Sequence, residues 1–174
     1  MKSVEIGRVF EGVVHRRLTL LGANLIHNGG AFDQCVDLSG SWALPWPRVS
    51  AWPGDAITLH CHRVEEAGSA VPLVVQCKAT RSSVGVATVR EFVHAIASRF
   101  PEHTLGILAT TGGFAHRSLQ REREWATRDI LLLHMTLTGS ILNAAYLHPA
   151  GRPRYTFLTA PQAPSVAVGQ MPLA

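Results

Sequence analysis

The chain switches between two hydrophobic periods along its length. From Ile6 to Leu21, the residues Val9, Phe10, Val13, Val14, Leu18 and Leu21 recur at helical spacing and form one apolar stripe, with Gly22 positioned to stop the helix. Ala23–His27 is a short apolar run that predicts a strand, and Asn28-Gly29-Gly30 is turn chemistry. Cys35–Ala43 predicts a second strand in which Asp37 stands among Val36, Leu38 and Trp42. Leu44–Gly54 carries Pro45, Pro47 and Pro53 with Trp46 and Trp52, and predicts an irregular insert because proline cannot donate to a ladder. Ala56–Val64 alternates apolar and polar residues as a strand does, and Glu65–Ala70 reads as a turn. Leu73–Ala79 opens on a continuous apolar run, which suits a strand covered on both faces.

The second half alternates strands with helices. Val86, Val89, Phe92, Val93, Ile96 and Phe100 define a helix over Val86–Phe100, followed by Pro101. Thr104–Thr110 predicts a strand, Phe114–Arg128 a charged helix, Ile130–Met135 a buried strand and Ser140–Leu147 a short helix. From Pro149 onward the chain is rich in Pro, Ala and Gly and reads as a partly disordered extension (149–174) of a single domain spanning 1–148. This order points to an α/β sandwich with a mixed sheet.

Composition narrows the function classes. Of 174 residues, 47% are hydrophobic and 16% charged, which excludes a disordered chain. No apolar run reaches the roughly 18–20 residues of a membrane helix, so no membrane partner is expected. The residues after Met1 read as neither a secretory signal nor an Arg/Ser-rich transit peptide. Net charge is +4, compatible with an anionic partner such as nucleic acid. Arg16, Arg17, Arg117, Arg121, Arg123 and Arg128 are the candidates for a phosphate-facing surface, although Glu122 and Glu124 among the later ones equally suit a solvated, salt-bridged helix face. Fourteen of the sixteen cations are Arg, so a lysine inside an apolar strand, Lys78, draws attention. Cys35, Cys61 and Cys77 are odd in number and widely spaced, which gives no disulfide framework and suits a reducing compartment. His60-Cys61-His62 lacks a second ligand pair, so it does not read as a zinc site.

The chemistry concentrates at Asp37 and at Gln76-Cys77-Lys78. An acid on one strand, followed by an amide two residues before a lysine on the next, is the pattern of a metal-dependent phosphodiesterase. Alternation puts Gln76 and Lys78 on one face of their strand. Asp37 supplies a hard anionic oxygen and Cys77 a backbone carbonyl, both suited to Mg2+ or Mn2+. Lys78 can stabilise charge developing on phosphorus or help deprotonate an attacking water. Cys77 itself reads as a small buried hydrophobe rather than a nucleophile. Thr110-Thr111-Gly112-Gly113 lies at a strand-to-helix turn, where backbone N–H groups can meet a phosphate. It lacks the Lys-Ser/Thr of a nucleotide loop.

With these residues in place, the chain resembles the Mrr-like branch of the PD-(D/E)xK restriction-endonuclease superfamily. In that branch the third motif is often QxK, as Gln76-Cys77-Lys78 is here, and the aspartate motif lies in a GG-x-x-D-x-x-x-D stretch, as Gly29 to Asp37 do. Within the branch, Asp37-Leu38-Ser39-Gly40-Ser41-Trp42-Ala43-Leu44-Pro45 and Gln76-Cys77-Lys78-Ala79 look most like the fungal mitochondrial required-for-respiratory-growth group. The resemblance spans about Gly7 to Met135. It implies a restriction-endonuclease-like sandwich with an α-β-β-β-α-β core and a central mixed sheet flanked by helices. It also implies a metal-dependent deoxyribonuclease in mitochondrial DNA maintenance, with homodimerisation an option of the fold. Asp37, Gln76, the Cys77 carbonyl and the first-helix Glu11 would hold Mg2+ or Mn2+, and Lys78 would act beside the water. Arg16, Arg17, His27, Asp33, Thr111, Gly112, Arg117 and Arg121 would contact DNA. Gln76 is neutral where the superfamily more often carries Glu or Asp, which keeps a second expectation open: a nuclease fold retained as a DNA-binding module.

Overall fold

A computed structural model describes residues 3–28, 36–43, 54–63, 70–115, 126–149 and 155–161. The helical stripe forms α1 (Ser3–Leu20), with Phe10, Val14 and Leu18 fully buried along it. It ends where foreseen: Gly22 takes φ +86°, the left-handed conformation that glycine adopts without strain, and its N–H donates to Thr19 O at 2.9 Å. The Trp42 indole N–H caps the same end by donating to Leu21 O at 2.7 Å.

The chain continues through β1 (Ala23–His27), β2 (Leu38–Trp42), β3 (Ile57–Arg63) and β4 (Val71–Lys78). Then come α2 (Val86–Arg99), β5 (Leu105–Thr110), β6 (Ile130–Met135), β7 (Ile141–Leu147) and β8 (Tyr155–Pro161). Six strands form one sheet in the order β1-β2-β4-β5-β6-β7, in which β4, β5 and β6 run parallel and the remaining neighbours are antiparallel. The parallel strands are the ones that read as continuous apolar runs, and all six residues of β5 are buried. At Gly40 the sheet is tight: a Cβ there would lie 1.9 Å from Asn24 O on β1, so only glycine fits that register.

α1 and α2 cover opposite faces. Phe10, Val14, Leu18 and Leu21 pack with Leu73, Val75, Ile107, Leu131 and Leu133. Val89, Phe92, Val93 and Ile96 pack with Val74, Leu108, Ile130 and Leu132. The order α1-β1-β2-β4-α2-β5 is thus the expected α-β-β-β-α-β core of an α/β sandwich with a central mixed sheet.

Three expectations change. Ser140–Leu147, expected as a helix, contains the strand β7, because β6 has an outer edge of backbone groups that need partners and Ile141 and Leu147 both bury against the core. The strand expected over Ala56–Val64 forms, but it leaves the main sheet and pairs antiparallel with β8, from Ile57↔Pro161 to Arg63↔Tyr155. The Pro/Ala/Gly-rich segment therefore supplies a strand. Of the expected charged helix, residues 116–125 lie outside the described residues, and Phe114 makes a single parallel bridge with Val84.

Candidate functional site

The β2–β4 ladder runs from Trp42↔Val71 to Leu38↔Val75. One step further, Asp37 N–H donates to Val75 O at 2.9 Å. The next donor on this edge of β4 is Cys77 N–H, and the Asp37 carboxylate accepts it through Oδ2 at 2.6 Å. Asp37 therefore ends the ladder with its side chain, where β2 and β4 part. Asn28 holds it in place: Asn28 N–H donates to Asp37 O at 2.9 Å, and Ser39 Oγ–H donates to Asn28 Oδ1 at 2.8 Å. The backbone of a strand alternates, so a residue whose N–H faces one neighbour turns its carbonyl the same way. The Cys77 carbonyl thus faces the gap beside Asp37. The Lys78 carbonyl faces β5 and accepts Thr111 N–H at 3.2 Å.

Side chains at this end of β4 divide between the faces. Cys77 follows Val75 on the α1 side, where it packs against that core. Gln76 and Lys78 follow Val74 on the α2 side by alternation; Gln76 is buried and Lys78 half-buried. On the α1 side, the charge of Glu11 reaches Cys77. Burial first, then the charge of Asp37, then that of Glu11, push the Cys77 thiol well above its ordinary range. Two carboxylates from separate elements therefore bear on the end of β4. A raised thiol pKa works against thiolate chemistry at this site.

The donor chemistry fits a hard divalent ion. Mg2+ takes one or two carboxylates, neutral oxygens and water. Asp37, Glu11, the Cys77 carbonyl and the Gln76 amide oxygen are the corresponding groups. Among the described residues, no three His, Cys, Asp or Glu side chains gather as a ligand cluster, so the site does not have the donor set of a structural zinc centre.

The other expected site residues separate. Arg17 is a correction: it is 2% exposed and pairs with Asp55 Oδ2 at 2.5 Å, so it lies in the interior and does not present a charge to phosphate. Burial lowers its pKa against the opposing pull of Asp55. Asp55 also accepts Ile141 N–H through Oδ1 at 2.6 Å, which ties α1, the residues before β3 and β7 together. Arg16, its neighbour on the helix, is exposed. His27 is exposed and stacks on His15 with ring centroids 4.8 Å apart. The donors expected of the Thr111-Gly112 turn are engaged internally. Thr111 Oγ1–H donates to Thr80 O at 2.8 Å, and Gly112 N–H donates to Thr110 Oγ1 at 3.2 Å. Asp33, Arg117 and Arg121 lie outside the described residues.

Sequence reasoning passed over Asp55 and Thr80, which helps lock β4 to β5. Thr80 Oγ1–H donates to Ser82 O at 2.8 Å, and Gly112 fits so closely that a Cβ would lie 2.0 Å from Ser82 O. The one local signal was the recurrence of Thr at the ends of adjacent strands. Asp55, inside a Pro- and Trp-rich stretch, gave none.

A family model described as "Required for respiratory growth protein 7" matches residues 2–145. No curated protein sequence matches the chain significantly. Among solved structures, the chain is similar to the DNA modification-dependent restriction endonuclease AspBHI, with a TM-score of 0.35 and 16% identity. That similarity covers 80% of this chain and 35% of that protein.

Proposed function

The chain belongs to the required for respiratory growth protein 7 family, and we propose that it is a divalent-metal-dependent DNA endonuclease acting in mitochondrial DNA maintenance. The observation that carries this reading is the Asp37 carboxylate held on Cys77 N–H at the end of β4, beside a backbone carbonyl and a lysine, with the charge of Glu11 acting on the same Cys77. Asp37, Glu11, Gln76 and the Cys77 carbonyl would hold Mg2+ or Mn2+. The bound ion supplies positive charge against the negative charge that develops on the phosphoryl oxygens. Lys78 adds an ammonium donor to the same oxygens. A water oxygen bonds to phosphorus as the bond from phosphorus to one sugar oxygen breaks; the water gives up a proton and the departing oxygen gains one. The Asp37–Cys77 hydrogen bond fixes the carboxylate before substrate arrives, so little reorganisation is needed.

Cleavage of plasmid and linear DNA with Mg2+, with Mn2+ and with a chelator tests the reading. Metal-dependent cutting is expected, with Lys78→Ala losing it while DNA affinity stays within a few-fold. Absence of cutting by the wild type under all conditions overturns it. A second reading has its own observation: Asp37 already has a structural role at Cys77 N–H, and Gln76 is neutral. That suits a nuclease fold that binds DNA without cutting it, and DNA binding without cleavage is its signature.

A further inference from the structure

A groove of about 670 Å3 opens at the carboxyl ends of β4, β5 and β6. Its volume falls in the roughly 300–1,000 Å3 range of small-molecule sites. Ile6, Met135, Leu137 and Leu142 give it apolar walls, to which Thr111 and Arg81 add polar groups. Its remaining wall includes Ala79, which follows Cys77 on the α1 side of β4 and packs against the same core. The groove therefore begins two residues from the candidate centre, on the face from which Glu11 approaches.

Resting on the nuclease reading, we infer that this groove takes an unpaired nucleotide of the DNA, so that the site acts on single-stranded or flapped DNA in preference to a continuous duplex. The argument is chemical. A duplex presents its outer surface as phosphates, which call for a rail of several cations. Here apolar side chains share the walls with threonine hydroxyls, and Arg81, exposed at the rim, is the cation among the described lining residues. A base removed from its stack presents two apolar faces and one adjoining phosphate. Aliphatic walls with one rim guanidinium complement that unit. Leu137, 44% exposed at the end of β6, is a large apolar side chain left in solvent that such a base would cover.

The test measures binding of fluorescein-labelled single-stranded, 5′-flapped and blunt duplex DNA, with Ca2+ as the added metal, followed by cleavage of each with Mg2+. The variants are Leu137→Asp and Arg81→Ala. Both residues are exposed, so neither change opens a core cavity. The single strand and the flap should bind more tightly than the blunt duplex. Leu137→Asp should weaken them roughly tenfold, the scale of leaving one large apolar side chain uncovered, while leaving the duplex unchanged. Arg81→Ala should weaken the single strand and lower its salt dependence by about one phosphate contact. Equal affinity for all forms, or an equal loss for all of them in Leu137→Asp, overturns the inference. Efficient cutting of blunt duplex with no single-strand preference overturns it while leaving the nuclease reading intact. Binding of single strands without any cleavage supports it and removes the nuclease reading.

Discussion

Two charged side chains on α1, six positions apart, show how differently one helix can use its polar residues. Arg17 meets an opposite charge: Asp55 receives it in the interior and also accepts Ile141 N–H, so the group is neutralised locally and serves to hold the fold. Glu11 acts elsewhere: its charge and that of Asp37 both raise the Cys77 thiol at the end of β4. Arg17 completes a structure, whereas Glu11 acts with Asp37 on the strand end that carries the candidate site. Both residues looked like functional candidates on the sequence, and the place where each charge acts separates them.

The largest expected effect breaks the structural half of this comparison. Arg17→Ala leaves Asp55 buried without its partner and should cost about 3–5 kcal/mol of stability. Arg17→Met combined with Asp55→Asn, which keeps an acceptor for Ile141, should recover much of that loss in urea unfolding. An Arg17→Ala protein of unchanged stability but weaker DNA binding would return Arg17 to the phosphate-facing surface.

The functional half is expected to respond in activity rather than stability. Lys78→Ala should lower the cleavage rate by about 10²–10³-fold, the scale for losing one preorganised electrostatic donor. Gln76→Glu sharpens the argument about the missing charge. A carboxylate at this buried position should lower the melting temperature in chelator and raise it again with Mn2+, because burial of the charge is then compensated. Destabilisation that Mn2+ does not relieve would place Gln76 outside the ligand set.

Cys77 gives a pH signature of the same convergence. Its folded pKa is raised, so the folded state resists losing the thiol proton. Its contribution to stability is complete below the unfolded thiol value, about 8.5, and is lost as pH climbs from there through the folded value. Urea midpoints between pH 7.5 and 10 should fall more steeply for the wild type than for Cys77→Ala, and less steeply when Glu11 is changed to Gln. The smallest effect is at the surface. Arg16→Ala should leave stability unchanged and reduce the salt dependence of DNA binding by about one contact.

Much of the fold was legible because periodicity reports burial. β1 and β6 fall on the residues their apolar runs marked, and α1, β4, α2 and β5 differ from expectation by only a few residues at their ends. β7 was not legible, since Asn143-Ala144-Ala145 suits a helix locally and becomes a strand only because β6 offers an edge. The β3–β8 pair was hidden for a related reason: its partners lie almost a hundred residues apart, and β8 arises in a Pro/Ala/Gly-rich stretch. At the site, the strand positions of Gln76 and Lys78 could be read from spacing, Asp37 proved to stand one residue before its strand, and the resemblance supplied Glu11. Arg17 could not be resolved, because its partner Asp55 is 38 positions away in a stretch without periodicity.

A divalent cation held by Asp37 and Glu11 at the end of β4 is tested most directly by Mn2+ binding to the DNA-free protein, followed by electron paramagnetic resonance. One saturable site is expected in the wild type, weakened by Asp37→Asn and by Glu11→Gln, and unaffected by Arg16→Ala. Equal Mn2+ affinity in the wild type and both carboxylate variants would contradict it.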